Sequence, residues 1–142
     1  MTFNQLSVFI ENREGRLGEV LAVLKENHVS ILSLSLADTT DYGLLRMIVN
    51  APERGRDVLV NAGFAGMLTE VLVIKLPHVA GALQSILTVI AEENINIEYT
   101  YGLSVEATDA SIVMKTNQPE RAIEVLKRHG IETMTADEIS AL

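Results

Sequence analysis

Laid against itself with an offset of 66, this sequence repeats, placing Gly81 on Gly15, Leu83 on Leu17, and Ile86, Leu87 and Ile90 on Val20, Leu21 and Leu24. The apolar positions follow the i, i+3, i+4, i+7 spacing of a helix with one buried face, which predicts equivalent helices over 16–27 and 82–93. The same offset matches Val29 and Ile31 with Ile95 and Ile97, the openings of alternating, β-branched segments that read as strands. Farther on an offset of 67 holds: Asn50, Pro52, Glu53 and Arg54 meet Asn117, Pro119, Glu120 and Arg121, and Val58, Leu59 and Gly63 meet Val125, Leu126 and Gly130. The second copy is therefore expected to carry one extra residue at its hairpin turn. Proline just inside a helix start and glycine just past its end predict helices over about 53–62 and 120–129.

Two further runs complete each copy. Leu45, Met47 and Val49 alternate with Arg46 and Ile48, as Ile112 and Met114 do with Val113 and Lys115, giving third strands. Leu6, Val8 and Ile10 match Leu72, Ile74 and Leu76 as first strands. Each half reads β-α-β-β-α-β, and two right-handed crossovers of that kind produce an antiparallel sheet with both helices on one face. The expected fold is α+β, two ferredoxin-like βαββαβ units, one over 1–69 and one over 70–142. Residues 64–72 serve both as the last strand of one unit and the approach to the first strand of the next, so the units are expected side by side with almost no linker.

Composition narrows the function. Charged residues make up 21% and hydrophobic ones 48%, and no apolar run approaches the roughly 18 residues of a membrane span. The N-terminus lacks the pattern of a secretion signal, and there is no cysteine for a disulfide, a thiolate metal site or a thiol nucleophile. A cytoplasmic location away from membranes is expected. The net charge of -8 divides as 6 − 8 = -2 over residues 1–69 and 5 − 11 = -6 over 70–142, and with only 4% aromatics the chain is a poor nucleic-acid ligand.

Catalytic constellations are sparse. His28, His78 and His129 show no metal-ligand spacing and read as surface or cap residues. Glu92 and Glu93 diverge around a helix, and Asp109, His78 or a tyrosine lacks the nucleophile, base and orienting partner of an enzyme. No catalytic residue, metal or cofactor is assigned. The turn Asn12-Arg13-Glu14-Gly15-Arg16-Leu17 is more informative. Free N–H groups and the positive dipole end of a helix suit a carboxylate there, and glycine lets backbone approach a ligand. Asn12 adds an amide, and Arg13 or Arg16 a guanidinium. The structural alternative is that Gly15 shapes the turn and Asn12 caps the helix. A second surface is the strand bearing Tyr99 and Tyr101, two of the three tyrosines, which either closes a pocket or packs against the other half; the first copy has Ser33 and Ser35 there.

Together the turn and the repeat resemble the ACT domain, a regulatory amino-acid-binding family, in two copies covering the chain. The resemblance lies in Asn12-x-x-Gly15-x-Leu17 followed by Asn27-His28-Val29-Ser30-Ile31, and in Gly81-x-Leu83 followed by Glu93-Asn94-Ile95-Asn96-Ile97. It is closest in form to stand-alone proteins of two such domains, similar to the regulatory subunits of acetolactate synthase. The resemblance implies a non-catalytic sensor, a homodimer that binds a free amino acid. The ligand would sit at Asn12, Arg13, Gly15, Arg16 and Leu17, with a facing strand such as that of Tyr99 and Tyr101 completing the pocket. The alternative it implies is a subunit controlling a separate amino-acid-biosynthetic enzyme. Glu14 and Ala80 stand where family members often have proline, and His78, Val79 and Ala82 replace Asn12, Arg13 and Arg16 in the second copy. The first turn is thus expected to be the main site.

Overall fold

A computed structural model describes residues 1–38 and 41–142. Its elements run β1 (Phe3–Glu11), α1 (Arg16–Glu26), β2 (Ile31–Asp38), β3 (Tyr42–Val49), α2 (Pro52–Asn61), β4 (Ala65–Pro77), α3 (Ala82–Glu92), β5 (Ile97–Val105), β6 (Asp109–Thr116), α4 (Pro119–Arg128) and α5 (Ala136–Ser140). The chain divides into two compact units, one of Asn4–Thr69 and one of Glu70–Leu142 with Met1–Phe3. The boundary falls inside β4, so one uninterrupted strand contains the segment shared by the two copies.

In the first unit β3 lies between β2 and β1, antiparallel to both, with Val8 opposite Leu45 and Leu36 opposite Leu45 from the other side. Leu6, Val8, Ile10, Leu45 and Met47 face one way and meet Val20 and Leu24 of α1 and Leu59 of α2 in a single core. In the second unit β6 lies between β4 and β5, and Leu72, Ile74, Ile112 and Met114 meet Ile86 and Ile90 of α3 and Val125 and Leu126 of α4. Strand alternation and helical periodicity thus converge on one buried face per unit.

The matched residues of the repeat have matched structural duties. Asn50 Oδ1 accepts the Ser30 N–H at 2.9 Å, and Asn117 Oδ1 accepts the Asn96 N–H at 3.2 Å, pinning the entry of each second strand to the exit of each third. Pro52 and Pro119 open their helices, and Gly63 and Gly130 end them at φ 92 and 77. The α1 and α3 helices end through His28 and Asn94 at φ 56 and 58. At Gly55 a methyl would come within 2.9 Å of Leu6 Cδ2, so α2 lies close to β1, whereas buried Ala122 occupies the corresponding place in α4.

Two details differ from the sequence expectation. The extra residue of the second copy is not at the hairpin turn. The ladders close at Asp38–Gly43 and at Val105–Ala110, an equal span, and the register slips instead between Gly102 and Ser104, which places Leu103 in a bulge of β5. The last strand of the second unit also shrinks to one bridge, Thr133 to Ile74. The chain then turns into α5, started by a capping box in which Thr135 and Glu138 satisfy each other's backbone N–H groups. Among the described residues no helix is long and apolar enough to cross a membrane.

Candidate functional site

The turn after β1 is built from backbone hydrogen bonds. The Asn12 N–H donates to the Asp41 carbonyl at 2.9 Å, the Arg13 N–H to the Glu11 carbonyl at 2.9 Å, and the Glu19 N–H to the Gly15 carbonyl at 3.0 Å. Gly15 is the N-cap residue at φ 82, a left-handed conformation that costs an L side chain roughly 1–2 kcal/mol, and it supplies no side chain to cap the helix. Asn12 lies three residues before this N-cap. The N–H groups of Glu14 and Gly15 have no backbone partner among the described residues, and Gly15 has nothing within 4 Å of where a Cβ would be. An open depression of about 500 Å³ is lined by Asn12, Arg13 and Glu14. Such an arrangement presents donors and the positive end of a helix to an anion.

The side chains around the turn have separate fates. Arg13 Nε donates to Glu11 Oε2 at 2.8 Å with both side chains more than half exposed. That guanidinium holds the Glu11 carboxyl below its ordinary range. Arg16 pairs with Glu19, and its guanidinium carbon lies 4.4 Å from the centre of the Phe64 ring. Its Nε is buried without a hydrogen-bond partner among the described residues. Phe64 belongs to the core of the first unit, so Arg16 ties the turn to the α2–β4 corner. Leu17 is partly buried against the same core. The pairing of Arg16 with Phe64 joins residues 48 positions apart and left no local sequence signal.

The turn after β4 repeats these bonds one for one. The His78 N–H donates to the Thr108 carbonyl at 2.9 Å, the Val79 N–H to the Pro77 carbonyl at 2.9 Å, and the Ser85 N–H to the Gly81 carbonyl at 3.0 Å, with Gly81 at φ 85. The surroundings are not repeated. Val79 is 65% exposed where the first turn has Arg13, and His78 Nδ1 lies 3.2 Å from the Glu106 carbonyl. Ser85 Oγ donates to the Gly81 carbonyl at 2.9 Å.

Tyr99 and Tyr101 lie on β5, at the edge of the second unit's sheet, with ring centroids 6.4 Å apart and planes within 15°. They sit opposite Lys115 and Val113, on the face away from the α3–α4 core, whose members Met114 and Ile112 lie opposite Thr100 and Gly102. The same small irregularity that follows Ile97 in β5 follows Ile31 in β2, so Ser33 and Ser35 occupy the corresponding face in the first unit. The turn at Gly15 belongs to the first unit and the tyrosine pair to the second. Among the described residues no group of three His, Asp or Glu side chains is arranged to hold a metal. Asp109 is near Lys75 at 3.7 Å, a partly exposed ion pair.

Residues 1–142 match the model of a family described as the ACT domain pair. The crystal structure of a Bacteroides thetaiotaomicron protein is similar over 100% of this chain and 98% of that one, with 34% identity and a TM-score of 0.94. The regulatory subunits of aspartate kinase from Thermus thermophilus, in its ligand-free form, and from Thermus flavus share the fold at 14% and 13% identity. Each has a TM-score of 0.63 and covers 88% of this chain, and the similarity spans 91% and 90% of those chains. No curated protein matches the sequence.

Proposed function

We propose, for a chain that belongs to the ACT domain pair family over residues 1–142, that it is a non-catalytic sensor of a free amino acid. The observation that carries this reading is the first turn: a left-handed glycine, two backbone N–H groups without backbone partners, and Asn12 beside them. The ligand carboxylate lies on the Glu14 and Gly15 N–H groups, and Asn12 and Glu14 accept from its ammonium. Arg13 flanks the site, while Arg16 and Leu17 hold the turn in place. Tyr99 and Tyr101 supply an aromatic wall from a second copy of the chain in a cytoplasmic homodimer. The second turn, with Val79 and Ala82 in place of arginines, is a structural counterpart.

A thermal-shift screen of the folded protein against the free amino acids tests this. Ligand at a hundred times its dissociation constant adds about 2.7 kcal/mol, a rise of several degrees for a chain of this size. No rise with any amino acid overturns the reading. A second reading follows the Thermus proteins of like fold, which are subunits regulating an enzyme: the ligand signal here passes to a separate amino-acid-biosynthetic enzyme. An enzyme co-purifying in sizing and pull-down from native cytosol favours that version over a stand-alone dimer.

A further inference from the structure

We infer that the amino acid bound at the first turn has an uncharged, aliphatic side chain, received by Leu36. The inference rests on the reading of that turn as the binding site and adds the class of ligand. Its first support is the state of the charges. Both guanidiniums at the turn already hold carboxylates, Arg13 that of Glu11 and Arg16 that of Glu19. The charge of each is already offset within the chain, which weakens its pull on a second carboxylate on a ligand side chain. Glu14, exposed and without an ion pair among the described residues, matches the ammonium that every amino acid carries.

The second support is the surface beside the turn. Gly43 pairs with Ile10, two residues before Asn12, and Asp41 accepts the Asn12 N–H, so this end of β3 borders the turn directly. Because Gly43 has no side chain, Leu36 leans across it: a methyl on Gly43 would lie 3.1 Å from Leu36 Cδ1 and 3.4 Å from Ile10 Cγ1. Leu36 pairs with Leu45, a member of the α1–α2 core, so it points to the face from which α1 starts. There it is 45% exposed, as is Leu34 on the same face. An aliphatic side chain laid on this shelf loses water from both surfaces, whereas a charged one would be desolvated with no partner. The second unit lacks the shelf. The ladders set Thr100 and Gly102 where the first unit has Leu34 and Leu36.

Thermal shift and calorimetry of the full chain with leucine, isoleucine and valine, against aspartate, glutamate, lysine and arginine, decide the matter. The aliphatic set should raise Tm and the charged set should not. Leu36→Asp should weaken leucine binding at least about tenfold, the scale of a few buried methylene groups, while Leu36→Met stays within about threefold. Leu36 is half exposed, so both variants should fold, which circular dichroism checks. A charged amino acid whose binding is lost in Asn12→Ala overturns this inference and leaves the sensor reading intact. Leucine binding indifferent to Leu36→Asp overturns it too. No binding by any amino acid removes the reading on which it rests.

Discussion

The turns before α1 and α3 share their backbone hydrogen bonds and their glycine conformation, yet they differ in nearly every side chain that could touch a ligand. Asn12, Arg13 and Arg16 stand against His78, Val79 and Ala82. Leu34 and Leu36 stand against Thr100 and Gly102, and Ser33 and Ser35 against Tyr99 and Tyr101. Backbone geometry therefore belongs to the fold, and recognition belongs to what decorates it. Duplication has kept the frame in both copies and left the polar turn and its apolar shelf in one.

Stability measurements can break the equivalence of frames. Leu24 and Ile90 are fully buried counterparts on α1 and α3, and Leu24→Ala and Ile90→Ala should each cost about 2–5 kcal/mol in urea denaturation. A large loss in one and a negligible loss in the other would show that the units do not contribute alike. Next in size are Gly15→Ala and Gly81→Ala. Neither Cβ would meet another atom, so the cost arises from the positive φ alone and should be about 1–2 kcal/mol at both positions. Amino-acid affinity should fall only in the first.

The smallest effect concerns Glu11. Arg13 lowers its pKa from 4.5, so the stabilisation from the ionised carboxylate is present above pH 4.5 and is lost as pH falls through the lower, folded-state value. The carboxyl resonance of Glu11 should titrate below its ordinary range, and Arg13→Ala should raise it. An unchanged titration in the variant would mean that the ion pair does not form in solution.

The core of each unit was legible in the sequence because apolar spacing, proline at helix starts and glycine at helix ends all report local geometry. Leu103 shows where such reading stops. A one-residue change of offset reveals that an insertion exists, but only strand pairing tells a bulge in β5 from a longer turn. The capping box Thr135-x-x-Glu138 was readable and marks α5, which took the place expected of a strand. At the candidate site the turn was legible through Gly15. The commitment of Arg16 to Phe64 and the lean of Leu36 across Gly43 depend on segments brought together by folding, and no local pattern carries them.

If one turn of the two recognises the ligand, only that turn should respond when the ligand is added. Amide chemical shifts followed during titration with the amino acid that raises Tm most report on both turns in a single sample. Large, saturable shifts are expected at Glu14 and Gly15, with Ala80 and Gly81 unmoved. Equal movement at both glycines, or movement at Gly81 alone, would contradict recognition by the first turn.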